Sequence, residues 1–351
     1  MDIFNEFYKD KTVLVTGHTG FKGSWLSIWL RELGAEVIGY ALDPHTEKDN
    51  FAVTGLEDKI HDYRGRIQDR SKLKEIFKTH QPDIVFHLSA QPLVRLSYKK
   101  PQETFSTNLM GTVNVLEEAR RSDSVQAVVN ITSDKCYKNK EWVWGYREND
   151  ELGGHDPYSA SKACAEIAIE SYQKSFFNEG EVGIASARAG NVIGGGDFAE
   201  DRLITDCIDS IKNDETIKIR SPEAVRPWQF VLEPLYGYLL LGKKLHNNPE
   251  RYQGAWNFGP DQESMVTVGK LVDTLIDIWG EGSWEDVSKQ KNLHEANILK
   301  LDTSKSEYYL NWSSKLSIKE TVRFLVDWYN RDTIDYEFDV KQIKKYLKRW
   351  E

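Results

Sequence analysis

Gly17-His18-Thr19-Gly20-Phe21-Lys22-Gly23 constrains the possible folds of this chain more than any other stretch. It lies between Thr12-Val13-Leu14-Val15-Thr16, which reads as a short buried strand, and Trp25-Leu26-Ser27-Ile28-Trp29-Leu30, apolar at helical spacing. Glycines at that junction permit a tight turn and let a pyrophosphate approach the backbone, while the helix start offers unpaired N–H groups and a favourable dipole. Gly17, Thr19, Gly20, Phe21, Lys22 and Gly23 are therefore candidate dinucleotide contacts. Asp43 follows the second strand-like run, Glu36-Val37-Ile38-Gly39-Tyr40-Ala41. It is suited to accept hydrogen bonds from ribose hydroxyls and would repel a 2′-phosphate, so the expected cofactor is NAD rather than NADP. Arg31 and Lys48 are close in sequence but not placed as a 2′-phosphate clamp.

Further strand-like runs at 83–88, 127–132 and 184–188 alternate with helical patterns at 108–121 and 159–177. This rhythm predicts an α/β fold, a Rossmann-type doubly wound parallel sheet covered by helices on both faces. Beyond Gly194-Gly195-Gly196 the rhythm breaks, with Pro222, Pro227, Pro234 and many aromatic residues. The expected division is an NAD-binding domain over 1–190, with segments near 228–262 returning to it, and a smaller mixed substrate lobe over 191–351.

Of the 351 residues, 40% are hydrophobic and 29% charged, as in an ordinary globular protein, and the net charge of −9 argues against a nucleic-acid partner. The basic tail Lys341, Lys344, Lys345, Lys348 and Arg349 alternates with Ile343, Tyr346 and Leu347, which predicts a terminal amphipathic helix with a wet face. No apolar run is long enough to cross a bilayer and MDIFNEFYKDK is no signal peptide, so the expected location is the cytoplasm, with no membrane partner. Three cysteines, Cys136, Cys164 and Cys207, suit reduced thiols, and neither they nor the eight histidines have metal-ligand spacing.

Two motifs carry chemistry. Tyr158-Ser159-Ala160-Ser161-Lys162 opens a helix after Pro157 and puts a phenol and an ammonium on one face. Positive charge from Lys162 and an oxidised nicotinamide ring would favour a phenolate that strips a proton from a sugar hydroxyl. Thr132-Ser133-Asp134-Lys135-Cys136-Tyr137 ends a buried strand with an acid directly beside an amine.

GHTGFKG, Leu88-Ser89-Ala90, TNLMGT at 107–112 and YSASK resemble the extended short-chain dehydrogenase/reductase family through most of the chain. The strings TSDKCY, EWVWGYRENDELGGHDPYSASKA, RAGNVIGGGD and RPWQFVLEPLYGYL are similar to the CDP-glucose 4,6-dehydratases within it. The resemblance implies NAD-dependent dehydration of a nucleotide-linked hexose: oxidation at C4, elimination of water across C5 and C6, and hydride return to C6. Tyr158 and Lys162 would serve C4, Ser133 the 4-oxygen, Asp134 the departing 6-hydroxyl as acid, and Lys135 the C5 proton as base. Both adjacent ionisable groups would have to shift, so a shared proton is expected rather than a simple salt bridge.

By the same resemblance Ile67, Leu88, Ser89, Ala90 and Asn108 line the cofactor, with Tyr158 and Lys162, and Gln91, Ser133, Asn191, Arg202, Arg220, Arg226 and Trp228 line the substrate. It also implies a homodimer, or a tetramer, built through the helices at 107–121 and 159–177. Two positions depart from the family: Phe230 stands where a histidine is usual, and Arg66 where an acid meets the adenine edge, leaving Asp69 as the nearby acceptor. The competing readings are a nucleotide-sugar 4-epimerase, a dTDP- or GDP-hexose 4,6-dehydratase, and a non-catalytic dinucleotide sensor.

Overall fold

A computed structural model describes residues 4–177, 180–261, 264–288 and 299–351. Its first six strands are β1 (Thr12–Thr16), β2 (Glu36–Ala41), β3 (His61–Arg64), β4 (Ile84–His87), β5 (Ala127–Ile131) and β6 (Gly183–Arg188). Strand Gly254–Asn257 joins them in one seven-stranded sheet, ordered Gly254–Asn257, β6, β5, β4, β1, β2, β3, with every neighbour parallel. The chain therefore runs outward from β1 in one direction, then restarts at β4 and runs outward in the other. That reversal opens a crevice beyond the carboxyl ends of β1 and β4.

Alternation of side chains across a strand explains why these runs are apolar throughout. Val13 and Val15 face one layer and Leu14 the other, and all three are fully buried. The first layer holds α1 (Phe21–Glu32) through Trp25, Ile28 and Trp29, together with the helices Leu232–Asn247, Ile318–Tyr329 and Tyr336–Leu347. Helices Arg70–His80, Gly111–Arg120 and Pro157–Phe176 cover the other face. Three short strand pairs, Val192–Ile193 with Gln229–Phe230, Val225–Pro227 with Met265–Thr267, and Ile217–Ile219 with Trp284–Asp286, lie outside the sheet.

The sequence pattern missed β3 and Gly254–Asn257, because four residues with mixed polarity give no period to read. Both attach at the sheet's edges. The helix expected at 108–121 is compound: Pro101–Phe105, a π turn over Ser106–Met110, then Gly111–Arg120. The basic tail forms helix Tyr336–Leu347, which buries Val340, Ile343, Tyr346 and Leu347 and leaves Lys341, Lys344 and Lys345 exposed.

Glu233 fastens that tail to the sheet layer. Its Oε1 accepts from the backbone N–H of Lys315 (2.9 Å) and Leu316 (2.7 Å), and its Oε2 accepts from the Tyr346 hydroxyl at 2.9 Å. Burial raises the carboxyl from 4.5 to about 7 despite those donors. A carboxyl whose folded pKa is raised binds more protons folded than unfolded between those values, so its contribution to stability is lost as pH rises through that window. Denaturant unfolding should show stability falling between pH 5 and pH 8 by roughly 1–3 kcal/mol more in the native protein than in Glu233→Gln, which keeps the acceptor and removes the charge. Equal pH dependence in the two proteins would refute the assignment.

Candidate active site

The glycine turn sits at the crevice. Gly17 leaves β1 with φ +78°, and a Cβ there would lie 2.8 Å from the Ser89 N, against the loop that leaves β4. A Cβ at Gly23 would come within 2.0 Å of the Gly17 carbonyl oxygen, so the first turn of α1 can only close on glycine. Gly20 caps α1 without a side-chain hydrogen bond, and a Cβ there would meet only the Gly17 oxygen, at 3.4 Å. A bare, uncapped helix start at the switch point of a doubly wound sheet is a fit for a dinucleotide pyrophosphate. Thr19 donates to the Leu42 carbonyl at 2.9 Å and so ties this turn to the end of β2. Phe21 packs beneath Gly194, whose Cβ would stand 2.8 Å from its ring.

Asp43 is 87% exposed beyond β2, open to a ribose, with Arg64 Nη1 3.5 Å from its carboxylate. Arg64 is held by Asp62, and Asp62 also meets the buried His18 Nε2 at 2.7 Å. Neither Arg64 nor His18 was singled out from the sequence, since their association spans three strands' ends. Ile67 is buried against Gly111, and the preceding carbonyl, that of Arg66, accepts from the Tyr40 hydroxyl at 2.7 Å. Asp69 caps helix Arg70–His80 by accepting from the Lys72 N–H, which engages the acceptor considered for adenine.

Beyond β4, Leu88, Ser89 and Ala90 form the loop against Gly17, and the Ser89 N–H reaches the Thr16 hydroxyl at 3.3 Å. Asn108, in the π turn, accepts from the Gln91 N–H (2.8 Å) and donates to the Gln91 carbonyl (3.1 Å) and the Ser161 hydroxyl (2.9 Å). Its amide thus braces the loop against the Tyr158 helix. The Gln91 side chain is engaged in the same way, donating to Thr104 and Leu93 and accepting from the Leu93 N–H, so the substrate contact expected of it meets a committed amide.

Ser133, Asp134 and Lys135 leave β5 beside the start of helix Pro157–Phe176. Asp134 is 1% exposed. Its Oδ1 accepts from the Ser133 hydroxyl at 2.9 Å, while its Oδ2 has no partner among the described residues. Gly190 makes room for it, since a Cβ there would be 2.0 Å from that oxygen. Tyr158 lies close to Ser133 and in the field of Asp134, so acid and phenol share one end of the sheet. Burial raises Tyr158 to about 12, Ser133 and Arg202 opposing it and Asp134 adding to it. Burial favours the neutral phenol, and the expected phenolate draws on the positive charge of an oxidised nicotinamide ring as well as that of Lys162.

Lys162 is buried with its Nζ 3.4 Å from the Ile131 carbonyl, and burial lowers it to about 8, with Glu166 pulling back upward. Lys22 is likewise lowered to about 8 by burial and then by Lys162 and Arg202. Lys135 is half-buried and makes no ion pair with Asp134 among the described residues. Asp134–Cys136 is a single 3₁₀ turn, in which successive side chains project about 120° apart. Beneath these groups Glu166 accepts from Thr132, from Ser186 (2.7 Å) and from Arg188 (2.8 Å). Glu166 follows Lys162 by one helical turn, a signal the sequence carried but that was not used.

On the other wall, Asn191 takes a left-handed φ of +48° and its carbonyl accepts from the Gln229 N–H at 3.2 Å. Gln229 also donates to the Gly190 and Phe258 carbonyls at 3.0 Å. Arg202 meets the Asp197 carboxylate at 3.2 Å, and Arg220 meets Asp201 at 3.4 Å. Arg226 bonds the Val225 carbonyl at 3.0 Å from the Val225–Pro227 strand. Trp228 is 6% exposed within the core, and Phe230 is fully buried against Phe324, an apolar seat in place of the usual histidine. No group of residues able to hold a metal ion is found among those described.

Comparison with known proteins follows from this geometry. The chain is 49% identical over 332 residues to the CDP-glucose 4,6-dehydratase of Salmonella typhimurium, covering 93% of this chain and 92% of that one. Among solved structures it resembles the UDP-glucose 4-epimerase of Thermotoga maritima, solved with UDP-glucose, with a TM-score of 0.79 at 23% identity over 91% of this chain and 98% of that one. It also resembles the dTDP-glucose 4,6-dehydratase of Bacillus anthracis, solved with NAD, with a TM-score of 0.76 at 20% identity over 92% and 97%. Residues 14–325 match the family described as GDP-mannose 4,6 dehydratase, and with the Salmonella relative this places the chain as a member of that nucleotide-sugar dehydratase family.

Proposed function

We propose that this protein catalyses the NAD-dependent 4,6-dehydration of CDP-D-glucose to CDP-4-keto-6-deoxy-D-glucose and water. The observation that carries the reading is Asp134, a buried carboxyl with one oxygen bonded to Ser133 and the other unpartnered, beside the Tyr158 hydroxyl. A 4-epimerase has no use for a proton donor at C6. The nucleobase is argued from the Salmonella relative, itself a CDP-glucose 4,6-dehydratase.

Bound NAD would supply the hydride acceptor for C4, the hydride for C6 and, through its cationic ring, positive charge beside Tyr158. The groups to hold it are the Gly17–Gly23 turn, the α1 N-terminus, Asp43, and the loop of Leu88, Ser89 and Ala90. Tyr158 takes the proton of the 4-hydroxyl, with Lys162 favouring the phenolate and Ser133 bonding the 4-oxygen as it becomes a carbonyl. That carbonyl acidifies the C5 hydrogen, which Lys135 removes in its neutral form. Asp134 gives its proton to the 6-hydroxyl, so water leaves across C5 and C6. The proton on Lys135 then returns to C5, the proton that Tyr158 took from the 4-hydroxyl replaces the one Asp134 gave to the departing water, and there is no net redox change.

Met110 and Ile167 are 49% and 56% exposed on the two helices named above for subunit pairing, apolar surface that a homodimer would cover. No helix among the described residues is long and apolar enough to cross a membrane.

Incubation with NAD and each of CDP-, dTDP-, UDP- and GDP-glucose should yield a product lighter by one water, with 4-keto absorbance, fastest for CDP-glucose. A product of unchanged mass would establish the epimerase instead. Asp134→Asn should lower kcat about 10²- to 10⁴-fold with KM within about threefold, the loss expected for a proton donor; normal dehydration by this variant would remove Asp134 from the mechanism. Lys162 is cationic below about 8 and neutral above it, so kcat/KM should fall as pH rises through that value. Lys162→Arg keeps its charge, and its residual activity should lack that alkaline limb.

A further inference from the structure

Arg95 belongs to the short helix Val94–Lys99 that follows the end of β4, on the sheet side of the crevice. Arg220 follows strand Ile217–Ile219, on the opposite lobe. The two converge on one atom: Asp201 Oδ1 lies 3.1 Å from Arg95 Nη1 and 3.4 Å from Arg220 Nη2. Asp201 holds a left-handed φ of +59°, a conformation that L side chains other than Asn and Asp adopt with difficulty, so its loop fixes the carboxylate there. The three side chains are 35%, 37% and 41% exposed for Arg95, Arg220 and Asp201, and all remain open to solvent. Asp206 lies in the field of the same two arginines, and Arg202 is held separately by Asp197.

Two guanidinium groups on facing walls, sharing one carboxylate oxygen, present the donor geometry that an anionic phosphate oxygen would use. Exposed carboxylate pairs are weak, so exchange of the aspartate for a more highly charged diphosphate is favourable. We propose that Arg95 and Arg220 form a two-sided clamp for the nucleotide-sugar diphosphate and that Asp201 is its internal occupant, displaced when substrate enters. This rests on the nucleotide-sugar reading above and adds to it a binding residue, Arg95, and a built-in competitor, Asp201.

Titration calorimetry on the full chain tests it with cytidine 5′-diphosphate, inorganic pyrophosphate and NAD as probes. Asp201→Asn should tighten cytidine diphosphate about 3- to 10-fold and Arg95→Gln should weaken it at least about tenfold. In the double variant the gain from Asp201→Asn should shrink, and NAD affinity should change less than about twofold throughout, which separates the substrate diphosphate from that of the cofactor. Unchanged or weaker binding by Asp201→Asn, or native binding by Arg95→Gln, overturns the clamp while leaving the dehydratase reading intact. Failure of the native protein to bind any nucleoside diphosphate overturns both. Should Arg95→Gln fold poorly, Arg95→Lys, which keeps the charge but loses the fork, should still weaken binding severalfold, and native affinity there would also refute the proposal.

Discussion

The buried Glu166–Arg188 pair holds together the parts that carry chemistry. Glu166 lies on the helix of Tyr158 and Lys162, Arg188 ends β6, and Thr132 stands next to Ser133 and Asp134, so one carboxylate joins three elements. Arg188 extends the join, donating to the Tyr137 hydroxyl at 2.8 Å and the Glu148 carbonyl at 3.0 Å, while Tyr137 bonds Asn257 on the far edge strand. Burial pushes the Glu166 carboxyl up, yet Arg188 and the surrounding donors bring it below its ordinary value. Breaking such a pair leaves a buried charge uncompensated, the costly failure for ion pairs of this kind. Position and charge are set by the same contact, because Glu166 also favours the cationic form of Lys162 one turn away.

Desolvation governs the rest of the site. It lowers Lys22 and Lys162 to about 8 and raises Tyr158 to about 12, which places two amines near their working range and leaves the phenol outside it. Positive charge added beside Tyr158 would oppose the effect of burial and favour its phenolate. Asp134 sits against the glycine backbone of Gly190, and that missing side chain is what admits a carboxyl between β5 and the loop after β6.

The glycine turn, five of the seven sheet strands and the Tyr158 helix were legible because each carries a local period or a backbone requirement. The two edge strands, β3 and Gly254–Asn257, were not, since their pairing supplies what their four-residue patterns lack. Asn108 and Gln91 show a different limit. The resemblance put both at the crevice, and only the fold shows that their amides also bond each other's segments, Thr104, Leu93 and Ser161. Arg64 beside Asp43, and Arg95 and Arg220 on Asp201, are contacts between segments separated in the chain, which no spacing reveals.

By itself the sequence determined the parallel doubly wound sheet, the place of the glycine turn between β1 and α1, and the helix that begins at Tyr158. Those features depend on side-chain period, glycine freedom and residue chemistry, all properties of short stretches. Tertiary structure decided that Asp134 and Lys135, neighbours in the chain, project differently from one 3₁₀ turn, and that Asp134 and Tyr158, distant in the chain, are brought close together. Protonation followed from the same source, because desolvation depends on what the whole fold packs around a group and not on its neighbours in sequence.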